Sequence, residues 1–461
     1  MKKLSALIIA FFLLLPCLFL SACGKAPSGA PSTSVPSPDP GVISETATDE
    51  PSVPSPAPVH IADHSYDPAT DFDKRLIWVG SLGDSVIETE DAWYWLSTAG
   101  GYLRYYDKAL GESGVLCGKP ECEHDSSGRA GNPDCNGYLD TSKQYMWLNE
   151  GRLYYLHEGI DKAYPDSLFR IYSIGPDGTD RRLEKVVPKY DSPYGLGVMH
   201  TQYMCYHRGV LYGFCFGGAI SGGEPSQPFT VSAFPLDGDE FTTIYDSGAG
   251  VHYGSICPAG EYCYIVDFSE TNKLLRYSAV TGETELLYEG NELNVAQYWI
   301  DGLGGVYVGG DFVRGKGCSS VWRLDAEGRS EVLRFEDPDI DYSLLNVSDG
   351  IAIARNYFEN LGKGMDPDID IWIKRYDGTD IFKGKLPMAW LDSLQDAGRL
   401  EGIRLCCGDE RSLMMIFELN NTRSDGVGIS ETYALVRYEF IGGKMEEQLL
   451  CVSSVRSSSR Q

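Results

Sequence analysis

Cys117, Cys122, His124 and Cys135 gather three thiols and one imidazole within 19 residues, the ligand set of a closed Cys₃His zinc site. Zinc takes thiolates and a neutral imidazole at tetrahedral corners, and Gly118 and Pro120 suit a loop that must turn tightly around an ion. Cys122 and His124 stand only two apart, which is not the spacing of a zinc finger. The same thiols could instead pair as a disulfide, the usual fate of cysteines outside the cell. Counting does not choose between the two. Of thirteen cysteines, Cys17 and Cys23 fall in the N-terminal segment, and the eleven that remain are an odd number. Cys257 and Cys263 flank an expected hairpin and could bridge. Cys205, Cys215, Cys318, Cys406, Cys407 and Cys451 mostly lie in strand-like runs, where a reduced cysteine is an ordinary small core residue.

A second group is acidic. Asp337, Asp339 and Asp341 repeat the pentapeptide pattern of Asp366, Asp368 and Asp370, each as Asp-Pro-Asp-Ile-Asp. Carboxylates clustered in this way could hold Ca²⁺, which takes six to eight oxygens, or a cationic ligand. Neither run is an EF-hand loop, and solvated loop charge is the better reading in a chain of net charge −27. That charge also repels a phosphate backbone, so nucleic acid is not an expected partner. The chain has no Gly-x-Ser-x-Gly, no phosphate loop and no His-Glu-x-x-His. Gly83-Asp84-Ser85 is similar to the nucleophile motif of a lipase family, but it opens a β-strand here, whereas that motif belongs on an α/β fold.

The elements that must position these groups show in a repeat. Val295-Ala296-Gln297-Tyr298-Trp299-Ile300 leads through Asp301-Gly302 to Gly305-Val306-Tyr307-Val308. Ser320-Val321-Trp322-Arg323-Leu324 and Glu331-Val332-Leu333-Arg334-Phe335 follow, making four strands in about 43 residues, the size of one propeller blade. Aromatic third strands recur at 102–106, 168–172, 230–234, 274–277, 371–376 and 433–438. Several run into Asp-Gly or Gly-Gly turns such as Asp177-Gly178, Asp377-Gly378 and Gly442-Gly443, which supply the positive φ of tight hairpins. Seven copies fit between Ser85 and Val452. The pattern predicts an all-β chain, a propeller of seven four-stranded blades over residues 71–455, with a disordered tail at 456–461. Only the stretch from Ala389 to Arg399 reads as a helical turn.

The blade repeats resemble the Tyr-Trp-Thr-Asp-like propellers of lipoprotein-receptor type, although no literal copy of that tetrapeptide is present. They are more similar still to a group of clostridial surface lipoproteins, which often carry a cysteine, proline, cysteine and histidine arrangement after the first blade. The resemblance implies a structural role for the 117–135 loop. In such blades the second-to-third loops and the connections between blades share one face. Cys117 to Cys135, Gly217 to Pro228, Asn356 to Asp368 and Leu419 to Ser430 are long excursions at those places, and variable loops on a rigid scaffold are where binding resides.

The chain begins with Met1-Lys2-Lys3 and an apolar run from Leu4 to Leu20, followed by Leu20-Ser21-Ala22-Cys23. This is the layout of a secretory signal, residues 1–22. Its end resembles the bacterial lipobox, which implies cleavage before Cys23 and diacylglycerol on its thiol. The two acyl chains would anchor the protein to the cell membrane on its extracellular face. Nine prolines and no aromatic residue occupy 24–60, so residues 23–70 read as a lipidated cysteine and a disordered stalk, at most about 100 Å long. The expected function is a non-catalytic binding module for a protein, peptide or glycan on the loop face. The rival is an extracellular carbohydrate-active enzyme with a carboxylate pair in the propeller channel.

Overall fold

The computed structural model describes Asp71 and most of residues 86–457; the longest stretches outside it are 1–70, 72–85, 125–131, 191–203, 217–227 and 357–367. The expected signal, Cys23, the stalk, the Gly83-Asp84-Ser85 run and Asp366 therefore lie outside the described residues. The rest forms seven four-stranded antiparallel sheets, each made of four consecutive strands in sequence order. Blades 1 to 7 cover residues 86–115, 146–187, 204–246, 253–290, 294–334, 342–385 and 399–457. The protein is a seven-bladed β-propeller. All seven expected third strands are third strands, and the helical turn is a short 3₁₀ helix, Ala389–Ser393. The last strand, Lys444–Ser457, runs two residues beyond the expected domain boundary. Among the described residues no helix is long and apolar enough to cross a membrane.

The sheets form because the sequence alternates and turns where they need it. Second strands such as Ala92–Leu96 are buried along their whole length, as the middle of a sheet packed on both faces must be. Fourth strands such as Arg182–Val187 begin exposed, because they form the outer rim. Gly442 and Gly443 turn the last hairpin with φ of 58° and 77°, the left-handed pair a two-residue connection requires.

Apolar residues collect between neighbouring blades rather than in one central core. Among the described residues no strand is exchanged between the last blade and the first. Trp93, Trp95 and Tyr106 of blade 1 pack against Cys406, Met414, Ile416 and Leu435 of blade 7 where the two blades meet. Gln448 Nε2 also donates to the Tyr106 hydroxyl at 2.7 Å, across 342 positions of sequence. A further long-range tie joins Asp71, whose side chain is fully buried, to Arg208 at the first turn of blade 3. Arg208 Nε lies 2.6 Å from one carboxylate oxygen and its Nη2 3.1 Å from the other.

Candidate metal centre

The excursion between blades 1 and 2 is built outward from the third strand of blade 1, Leu103–Asp107. Leu116 N–H donates to the Leu103 carbonyl as the chain leaves the blade. On its return Leu103 N–H donates to Gly137 O and Leu139 N–H to Gly101 O, each at 2.8 Å. Cys117 and Cys135 are thus fixed just beyond two backbone anchors, and Cys122 and His124 sit on the loop between them. Tyr102 supports the loop from beneath: its hydroxyl accepts the Asn132 N–H at 3.0 Å, and its ring packs 5.2 Å from that of Tyr138.

The one sulfur or nitrogen that each of Cys117, Cys122, His124 and Cys135 offers lies within 4.8 Å of the other three. A tetrahedral zinc with bonds of about 2.3 Å spaces its sulfurs about 3.8 Å apart, so the set is within about 1 Å of ligating geometry. The Cys135 sulfur and His124 Nδ1 are already 3.4 Å apart. Cys135 is buried and the other three are half-buried. The surroundings also suit a thiolate cluster. Asn132 Nδ2 points to the Cys122 sulfur at 3.6 Å, and Lys119 folds back to donate to the Asp134 carbonyl.

The thiols are unequal. Burial works to raise Cys117, but hydrogen bonds from the backbone at Lys119 and Asn136, and from Cys135 and Cys122, outweigh it and hold the thiol below its ordinary range. Burial, with Cys117 adding to it, pushes Cys135 up to about 12, and Cys122 is also raised. One thiolate therefore forms readily and its charge opposes the next, a conflict that a divalent cation removes. These four residues could hold a metal ion. Among the described residues no other group of histidine, cysteine and carboxylate side chains gathers in this way.

The described part of the excursion does not simply stand on the loop face. Its ends fold against the third turn of blade 2. Gly118 N–H and Asn136 Nδ2 both donate to Gly178 O, at 2.8 and 2.9 Å. Gly178 has φ of 76°, and a Cβ there would lie 2.6 Å from the Cys117 nitrogen, so only glycine admits this approach. Asp177 shapes the turn by accepting both the N–H and the hydroxyl of Thr179, at 3.0 and 2.8 Å.

The other sequence candidates come out differently. Three carboxylates of the acidic runs, Asp337, Asp368 and Asp370, pair with lysines. Lys383 Nζ donates to Asp337 at 2.6 Å, while Lys385 bridges Asp368 and Asp370 at 3.0 and 2.7 Å. Asp337 also accepts the Asp339 N–H in a local turn. The two runs do lie near each other, since Asp370 and Asp337 both add to the burial that pushes the Tyr342 phenol up to about 12. No Ca²⁺ cage forms there among the described residues. Cys257 and Cys263 are free and buried. The hairpin pairs Cys257 with Tyr264 and Cys263 with Pro258, so the two thiols leave opposite faces of the sheet and cannot bridge without backbone movement.

No protein-family model matches the chain, and comparison with curated proteins found no match. Solved structures are similar in architecture. A chain from a study of two prolyl endopeptidases aligns with TM-score 0.45 and 12% identity, over 83% of this chain and 52% of that one. An oligogalacturonate lyase of Vibrio parahaemolyticus gives 0.41 and 10%, over 79% and 89%. The acylaminoacyl peptidase of Pyrococcus horikoshii gives 0.41 and 10%, over 80% and 52%. The likeness is one of fold alone. The chain spans about half the length of the two peptidases.

Sequence reasoning found the four candidate ligands by residue type and spacing. It missed Asn132, Asn136 and Gly178, because an asparagine or a turn glycine carries no signal of what it will touch across a blade.

Proposed function

We propose that this chain is a membrane-tethered extracellular propeller that binds a protein, peptide or glycan on its loop face, and that Cys117, Cys122, His124 and Cys135 hold a structural Zn²⁺. The observation that carries the metal reading is the four-ligand set within 4.8 Å. Three sulfurs and one imidazole favour zinc over hard, oxygen-seeking cations such as Ca²⁺ or Mg²⁺. Four protein ligands leave no open position, so the role is structural rather than catalytic. An ion joining Cys117 to Cys135 fixes the neighbouring Gly118 and Asn136, and both of these donate to Gly178 O. The metal would thereby clasp blade 1 to blade 2 and hold the scaffold that carries the binding loops. Metal analysis of the purified full chain tests this, with about one zinc per chain expected.

The tether rests on Leu20-Ser21-Ala22-Cys23. Cys23→Ala should abolish incorporation of radiolabelled fatty acid and release the protein from the membrane fraction or leave it unprocessed. Label still entering the variant would remove the assignment.

A further inference from the structure

The wall of blade 2 that faces blade 1 carries cations with no acid to answer them among the described residues. The register of its second strand, Arg152–Glu158, and third strand, Phe169–Ile174, sets His157 opposite Arg170 and Tyr155 opposite Tyr172, so all four share one face. Tyr155 packs in one cluster with Ile87, Tyr94 and Leu103 of blade 1, which identifies that face. Tyr155 and Tyr172 stack with centroids 5.6 Å apart, and the Arg181 guanidinium lies over both rings at 5.6 and 5.1 Å.

Arg170 is 2% exposed, yet its Nε and Nη1 make no hydrogen bond among the described residues. Neither Arg170 nor Arg181 is paired with a carboxylate among them. A buried guanidinium left without a partner is a costly arrangement. It is all the more unexpected in a chain where acidic residues outnumber lysine and arginine 66 to 39.

We infer that this wall is a binding site for a carboxylate-bearing ligand, with Arg170 as its principal donor. A carboxylate brings the negative charge and the planar pair of acceptors that match a guanidinium fork. Arg170 is the second residue of its strand and lies at the end nearest the second-to-third connection, hence toward the loop face. The Gly159 backbone approaches that end closely, and a Cβ there would crowd it, 3.1 Å from His157 Nε2 and 3.6 Å from Arg170 Nη2. The inference gives the loop-face binding reading a ligand class and rests on it, and it does not involve the zinc.

The test is thermal unfolding of the full chain in acetate, with chloride at equal ionic strength as the control. Saturating acetate should raise the midpoint by about 2–4 °C. Arg170→Met should abolish that rise, and Arg170→Lys, which keeps the charge without the fork, should need at least about tenfold more acetate. An equal rise in chloride would overturn the carboxylate assignment. So would an unresponsive wild type, in either of two forms. If Arg170→Met is then the more stable protein, the site takes no ligand of this kind. If it is much less stable, the chain supplies its own carboxylate. A ligand captured elsewhere on the loop face by an acetate-blind protein would overturn this inference while sparing the binding reading.

Discussion

His124→Ala should lower zinc affinity by more than about 100-fold, because loss of a direct ligand exceeds the 10- to 100-fold cost of losing an outer-shell partner. Competition with a chromogenic chelator measures this. The reason is geometric. His124 Nδ1 sits 3.4 Å from the Cys135 sulfur and is the only nitrogen of the set, so its loss would leave three thiolates and an unfilled fourth position. The effect should also reach residues that touch no metal. Hydrogen exchange should quicken at Gly118 and around the 176–179 turn, because Gly118 and Asn136, which donate to Gly178 O, directly follow Cys117 and Cys135 in sequence. Blades 4 to 7 should keep their protection, since they bury apolar seams that include no residue of blades 1 and 2. Unchanged chelator competition in the variant would mean that the histidine is not a ligand.

Arg208→Ala should destabilise the propeller by about 3 kcal/mol, the lower end of the range for breaking a buried ion pair. Asp71 is the reason. Its side chain is fully buried, whereas that of Arg208 is about a quarter exposed, so the substitution removes the cation that faces a carboxylate held away from water. Replacing both residues, as in Asp71→Leu with Arg208→Leu, should cost much less, because no charge then remains to be solvated. Urea unfolding of the two variants beside the wild type separates the outcomes. Equal stability of Arg208→Ala and wild type would show that Asp71 does not make this contact in solution.

The propeller was legible because its signals are local. Aromatic third strands and turns such as Asp377-Gly378-Thr379 and Gly442-Gly443 recur within each blade, and each is decided by neighbours a few positions away. The cysteine cluster was legible for the same reason, with all four candidate ligands inside one excursion. Register was not. The pairing of Cys263 with Pro258 instead of Cys257 is a shift of one position, yet it sends the thiols to opposite faces. The acidic runs read as a cation site only while Lys383 and Lys385 were invisible beside them, since nothing in sequence spacing announces a cross-strand lysine. Arg170 and the Asp71–Arg208 tie gave no sequence signal at all. Their meaning depends on burial and, for the pair, on a contact across 137 positions.

The most direct measurement is native mass spectrometry of the full chain, purified without chelator or reductant and followed by thiol alkylation. The zinc account predicts about one Zn²⁺ per chain, with Cys117, Cys122 and Cys135 protected until the metal is stripped and all three alkylated afterwards. Metal-free protein with a linked pair among those three cysteines would contradict it in favour of a disulfide. Metal-free protein with all three freely alkylated in the native state would contradict both readings and leave the excursion an ordinary insertion.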